Sequence, residues 1–242
     1  MHPLDSLLTT PPWRLGVFTL ELLLAILLSV WLRSTSRKPP PALLLLQLVG
    51  WGSVTALLSA SIELHFSLPR TAFSSQFVNI TLSSTLEELA KYAVAAWLLL
   101  PTHAIRKASD APLFLILIGL GFALAEDAVF LSDPNTIAPY RLLSFFLHSG
   151  TSAIVGIHFG NYLVGQESWW RLSLGIMSAI FLHFLYNATT LVDGRSGTAL
   201  TVLVSLLISI QVFLLYRRAV VEEFTTERAG TPPRRIRLLN IG

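Results

Sequence analysis

The stretch STLEELAKY at residues 84–92 governs the fold, because Glu87, Glu88 and Lys91 open an apolar run that continues to Leu100. Ionisable side chains inside a membrane are costly, so they need either partners or a functional purpose. Other apolar segments supply candidate partners, namely Glu126, Asp127, His148, His183 and Asn187. The sequence therefore predicts one polar site that several membrane helices share.

Composition indicates a membrane protein. The 242 residues are 53% hydrophobic and 13% charged, with a mean hydropathy of +0.64, whereas soluble domains contain about 25% charged residues. The length fits an all-α polytopic transmembrane bundle of about seven spans with short loops. We expect a single transmembrane domain at residues 1–216, with a catalytic core at 84–191 and a basic cytoplasmic tail at 217–242.

Cysteine content and charge exclude some functions. The chain has no cysteine, so neither disulfide nor thiolate chemistry is available. A pI near 9.5 reflects basic cytoplasmic edges rather than a nucleic-acid surface. We therefore expect the lipid bilayer and a membrane substrate as partners, and no nucleic acid.

Apolar runs give the expected spans. They lie at about 15–32, 41–59, 85–100, 112–131, 140–164, 172–191 and 198–216. Residues 61–84 are polar and are expected to form an irregular connection, with the third span beginning between 77 and 85.

Positive charge predicts the orientation. Of the 17 Lys and Arg residues, 12 fall in the connections after alternate spans and in the tail, and such residues collect on the cytoplasmic side. The N-terminus is then outside and the C-terminus cytoplasmic. In this orientation Glu87, Glu126, His148 and His183 all lie in the outer half of the membrane, which favours one shared site.

The acidic residues have two interpretations each. Glu87 or Glu88 could complete a capping box at a helix start, and Lys91 could pair with either acid within one helix. Alternatively, the paired carboxylates could activate a water molecule. Glu126 lies seven residues after Gly119 on the same helix face, where small residues permit close helix packing that would bring Glu126 against its neighbours. Alternatively, Glu126 and Asp127 merely mark the outer end of their span.

The histidines complete a hydrolytic set. His148, Ser152 and Gly156 form one stripe at four-residue spacing, and His183 shares a face with Asn187. His158 lies on another side, where a hydrogen bond across helices is expected. A carboxylate can deprotonate water, while histidine donates to the oxyanion or ligates a divalent metal such as zinc with the acids. The His-Glu-x-x-His sequence of many zinc peptidases is absent.

At these residues the sequence resembles the PrsW family of intramembrane proteases, within the superfamily of CAAX prenyl endopeptidases and bacterial Abi proteins. The shared pattern is Glu-Glu-x-x-Lys at 87–91, Gly-x-Gly-Phe-Ala-x-x-Glu at 119–126, a histidine followed by a hydroxyl residue, and His-x-x-x-Asn at 183–187. Two positions differ, because Asp127 stands where the family usually has Asn, and Ser152 replaces its Thr while Thr151 is offset by one.

The resemblance implies an endopeptidase that cleaves membrane-anchored proteins near the outer membrane face. It implies that Glu87 and Glu88 activate water, with Glu88 the favoured base, and that Glu126 supports them. His148 and His183 would be oxyanion donors or metal ligands, and Asn187 would hold the carbonyl. A bacterial cell membrane, regulated proteolysis and a substrate like an anti-sigma factor follow by analogy.

Three other functions stay open at this point. A zinc-dependent lipid amide hydrolase also combines about seven spans with intramembrane histidines. A non-catalytic scaffold of the same superfamily would retain the histidines without proteolysis. An ion-coupled transporter would use Glu126 and His148 as a relay.

Overall fold

Seven α-helices build the part of the chain that the computed structural model describes, which is residues 12–35, 39–69, 72–102, 104–131, 143–189, 191–192 and 194–228. They are α1 (Pro12–Thr35), α2 (Ala42–Phe66), α3 (Phe73–Thr102), α4 (Asp110–Leu131), α5 (Ser144–Leu163), α6 (Trp169–Thr189) and α7 (Gly194–Arg228). These residues contain no strand, so the predicted all-α fold is confirmed.

Among the described residues, four helical segments are long and apolar enough to cross a membrane. They are Ala42–Phe66, Asp110–Val129, Trp169–Thr189 and Gly194–Arg217. Leucine, isoleucine and phenylalanine side chains on their outer faces are exposed, as expected where lipid covers the protein. The chain is an integral membrane protein, and crossing by all seven helices stays a prediction.

Helices α4 and α5 form the centre of the bundle, and α4 is held between α2 and α5 by glycines. A Cβ atom on Gly52 of α2 would lie 2.1 Å from the carbonyl oxygen of Ile118, and one on Gly121 of α4 would lie 1.9 Å from that of Val49. Gly119 approaches His148 of α5 in the same way, at 2.3 Å. These contacts require glycine because any side chain would push the helices apart.

The expected irregular connection at 61–84 is wrong. Helix α2 continues to Phe66 and α3 already begins at Phe73. Within α3, the hydroxyls of Thr81 and Thr85 donate to the carbonyl oxygens four residues earlier, at 2.9 and 2.7 Å. Serine and threonine thereby satisfy their own polar groups inside a helix, so their abundance did not indicate a loop here.

This longer helix also removes the capping box, because Glu87 lies 14 residues after Phe73, in the middle of α3 rather than at its start. The interpretation of Glu87 or Glu88 as part of a capping box is therefore wrong for this helix. In α7 the candidate membrane span ends at Arg217, close to the predicted end at 216, and the helix itself continues to Arg228. Residues 229–242 of the expected tail lie outside the described part.

Candidate active site

Glu88 is the centre of the buried polar cluster. Its Oε1 accepts hydrogen bonds from Lys91 Nζ at 2.6 Å and Thr151 Oγ1 at 3.0 Å, and lies 2.7 Å from His183 Nδ1. These partners belong to α3, α5 and α6, and Glu88 is only 1% exposed. One carboxylate oxygen thus connects three helices, and the expected ion pair between Lys91 and Glu88 is confirmed.

Lys91 is surrounded by the same cluster. Its ammonium lies 3.3 Å from His148 Nδ1 and 3.5 Å from Thr151 Oγ1. The ring of Phe122 lies 5.0 Å from the ammonium and also packs on the His148 ring, with centroids 4.7 Å apart. The lysine is only 3% exposed. Because a buried charge needs a partner, the ion pair with Glu88 balances the ammonium inside the protein.

His148 carries the cluster onto α4. Its Nε2 lies 2.8 Å from Glu126 Oε2, because Gly119 lets the backbone of α4 approach the carbonyl of His148. The Glu126 side chain is 28% exposed, so it marks the open edge of the cluster. Asp127, the departure from the family pattern, is buried in the same helical turn.

His183 lies between the two adjacent glutamates. Its Nδ1 faces Glu88, and its Nε2 lies 3.7 Å from Glu87 Oε2. That second separation exceeds a hydrogen bond. Within the described residues, Oε2 of Glu87 is a buried atom without a hydrogen-bond donor. Glu87 therefore presents an open carboxylate oxygen next to an imidazole nitrogen.

Asn187 follows His183 by one helical turn and pairs α6 with α3. Its Nδ2 donates to Ser84 Oγ at 3.3 Å, and Ser84 is buried one turn before the glutamate pair. The side-chain amide is thereby held at the edge of the cluster.

All six residues predicted for the site are therefore brought together by α3, α4, α5 and α6. Glu87, Glu88, Glu126, His148 and His183 are linked by the contacts above, and Asn187 is held beside them. Sequence reasoning did not assign Thr151 and Phe122 to the site and treated Lys91 only as an ion-pair partner. Thr151 lies three residues after His148 and therefore on the same side of the helix. This spacing could have indicated that Thr151 also belongs to the site, where it contacts Glu88.

Of the stripe through His148 and Ser152, only His148 makes hydrogen bonds within the cluster. Ser152 Oγ faces α4, 2.8 Å from the Cβ position of Gly119, and accepts or donates no hydrogen bond among the described residues. His158 also differs from expectation, since its Nδ1 lies 2.8 Å from Glu167 Oε2 in the turn after its own helix.

Glu87, His148 and His183 could hold a metal ion. Each offers one buried ligand atom, and these atoms lie within 4.8 Å of one another. Two histidines and one glutamate are the protein ligands of several catalytic zinc sites. Glu87 Oε2 fits this role because it has no hydrogen-bond partner among the described residues, and His183 Nε2 lies 3.7 Å from it, whereas both ring nitrogens of His148 already have close partners.

The fold and site define an integral membrane protein of α-helices that encloses a buried cluster of acids and histidines. The model of the PrsW family of intramembrane metalloproteases matches residues 40–216, which include every residue of this cluster. The chain belongs to that family and is a membrane protease, as the sequence resemblance indicated. No curated protein and no solved structure matches the chain.

Proposed function

We propose that the chain is an endopeptidase that hydrolyses peptide bonds of membrane-anchored proteins by glutamate-activated water. The observation that supports this most directly is the open, buried oxygen of Glu87 beside two histidines whose other contacts are fixed. A carboxylate in that environment can take a proton from water at the carbonyl of a bound substrate.

Glu87 rather than Glu88 is the base in this proposal. Both residues have a buried Oε2 without a hydrogen-bond donor in the described part of the chain. The Oε1 of Glu88, however, is committed to three donor groups, including the Lys91 ammonium. Glu88 therefore orients His183, as carboxylates commonly orient a catalytic imidazole. This assignment revises the sequence-based preference for Glu88.

The remaining residues stabilise the tetrahedral intermediate. His148 donates from Nε2 and Asn187 from Nδ2 to the oxygen that becomes negative when water attacks the carbonyl carbon. When no substrate is present, Glu126 Oε2 accepts the hydrogen bond from His148 Nε2, at a distance of 2.8 Å. When the C–N bond breaks, the proton that Glu87 took from water passes to the leaving amine nitrogen.

A divalent ion such as zinc is compatible with this arrangement through Glu87 and His183, and His148 would join only after losing one of its contacts. A bound ion would polarise the scissile carbonyl and make water more acidic. The hydrogen bonds that His148 Nε2 and Asn187 Nδ2 donate to the oxyanion do not depend on which ion is bound.

The proposed topology has seven spans with the N-terminus outside. Glu126 is five residues from the end of α4, His148 four residues from the start of α5, and His183 six residues from the end of α6. At 1.5 Å per residue they lie roughly 6 to 9 Å below those helix ends. Cleavage would then occur near the outer face of a bacterial cell membrane, on substrates resembling anti-sigma factors.

The test compares new protein N-termini by mass spectrometry in cells that express the wild type or Glu87→Gln. Glu167→Gln is the matched control, because Glu167 is an acid paired with a histidine outside the cluster. We expect a small set of cut sites near the outer membrane face, present in the control and lost in Glu87→Gln at equal protein level. Identical profiles for all three proteins would contradict the proposal.

If the profiles are identical, a zinc-dependent lipid amide hydrolase becomes the next candidate. The Glu/His/His donor set favours that function among the alternatives. Release of fatty acid from amide-linked lipids by the purified protein would then be measured.

A further inference from the structure

Lys91 has no role in the proposed chemistry, although it occupies the middle of the cluster. Its ammonium contacts Glu88 on its own helix and both His148 and Thr151 on α5, and it faces the ring of Phe122. Burying an ammonium is costly. A lysine with this many partners inside a hydrolytic site therefore calls for an explanation beyond one ion pair.

The direction of each contact follows from the chemistry of the ammonium group. A charged lysine has three donors and no acceptor. His148 Nδ1, which lies 3.3 Å from Lys91 Nζ, must therefore accept. A neutral imidazole carries a single proton, so that proton of His148 is on Nε2, where it points to Glu126 Oε2 at 2.8 Å.

The opposite holds for His183. An ionised carboxylate only accepts hydrogen bonds, so the 2.7 Å contact to Glu88 Oε1 places the His183 proton on Nδ1. In a neutral imidazole the lone pair is then on Nε2, which faces Glu87. The same lysine that donates to His148 also holds Glu88 Oε1, at 2.6 Å, in the position that receives the His183 proton.

We propose that Lys91 is a positioning residue that sets opposite tautomers in the two site histidines. His148 presents an N–H from Nε2, and His183 presents an Nε2 without a proton. The centroids of the two imidazole rings are 5.2 Å apart, so both groups face the same small site. One histidine is thereby fixed as a hydrogen-bond donor and the other as an acceptor or metal ligand. The catalytic meaning of this division rests on the proposed function, whereas the tautomers can be measured without it.

The experiment is nitrogen NMR on full-length protein labelled with ¹⁵N-histidine in lipid bilayers. The chain has only six histidines, and the signals of two of them are assigned by their loss in His148→Gln and His183→Gln. In the wild type at neutral pH we expect protonated Nε2 for His148 and protonated Nδ1 for His183. The tautomer pattern of the wild type alone tests the proposal, so it does not depend on a variant that folds.

Variants of the lysine then test whether it is the cause. Lys91→Met, which cannot donate, should convert the His148 signal into a mixture of tautomers and lower kcat about 100-fold with little change in KM. Lys91→Arg, which keeps donors, should retain the Nε2–H tautomer and recover part of kcat. Lys107→Met, at an exposed lysine in the connection between α3 and α4, should leave the spectrum unchanged.

Two results would overturn the proposal. One is a wild-type His148 that carries its proton on Nδ1, and the other is a Lys91→Met protein whose two histidines keep their wild-type tautomers. Neither result bears on whether the chain cleaves proteins. Conversely, the expected tautomers in a protein without any proteolysis would refute the proposed function and leave the role of Lys91 standing.

Discussion

Replacing Gly119 by alanine tests whether the spacing of α4 and α5 builds the site. The added Cβ would lie 2.3 Å from the carbonyl oxygen of His148 and 2.8 Å from Ser152 Oγ. Ordinary contacts of carbon are about 3.5 Å, so the two helices must separate by about 1 Å. The helix that moves carries Glu126 two turns further on, on the same face.

Such a shift has two consequences. Overpacking of this kind costs about 1 to 3 kcal/mol of stability. The bond between Glu126 and His148, now 2.8 Å, would lengthen beyond the range of a good hydrogen bond. Displacement of a catalytic group by about 1 Å can lower a rate about 100-fold, so kcat of Gly119→Ala should fall by about that factor.

The assay measures kcat on a cleaved membrane substrate and thermal unfolding in detergent for three variants. Gly50→Ala is the matched control, because its Cβ would have no neighbour within 4 Å, and it should behave as the wild type. Gly121→Ala should lose similar stability but less kcat, since its Cβ would meet Val49 O of α2 at 1.9 Å rather than α5. A Gly119→Ala protein with wild-type kcat would refute the reasoning.

Three further outcomes follow from single contacts. Thr151→Val removes one of the three donors to the central carboxylate and should cost about 1 to 3 kcal/mol of stability and lower kcat, whereas Ser152→Ala should leave kcat and the melting temperature near the wild type. Asn79→Ala removes both side-chain bonds to the turn between α2 and α3 and should accelerate amide hydrogen exchange at that turn by about tenfold or more. The zinc content of purified protein, measured by mass spectrometry, should fall more in His183→Gln than in His148→Gln.

Each of these outcomes can fail separately. Equal kcat losses in Thr151→Val and Ser152→Ala would show that both hydroxyls support activity, which contradicts the prediction for Ser152. Unchanged hydrogen exchange in the asparagine variant would show that the turn is held by other contacts. A larger loss of zinc in the His148 variant would contradict the assignment of His183 as the more available metal ligand.

The all-helical fold and the clustering of the candidate residues could be predicted from the sequence because a membrane restricts both. Apolar runs of about 20 residues indicate helices, and an ionisable residue inside such a run needs a partner. Glu126, His148 and His183 were recognised in this way, since each interrupts a separate apolar segment and each contacts another member of the cluster in the structure.

Other features could not be predicted because they depend on contacts between helices. The polar start of α3 resembles a loop until its hydroxyls are seen to bond within the helix. The choice of Thr151 over Ser152 depends on how α5 is rotated against α3 and α4. The several partners of Lys91 become visible only when α3, α4 and α5 meet, although its spacing from Glu88 indicated one of them.

Cleavage by the purified protein tests the central claim most directly. The wild type and Glu87→Gln would each be reconstituted in liposomes with a membrane-anchored substrate found in cells, in water enriched in ¹⁸O. We predict that the wild type alone produces one new N-terminus and incorporates ¹⁸O into the new carboxylate, while the equally folded variant does neither. Cleavage at the same rate by Glu87→Gln would contradict the account, and so would no cleavage by a folded wild type.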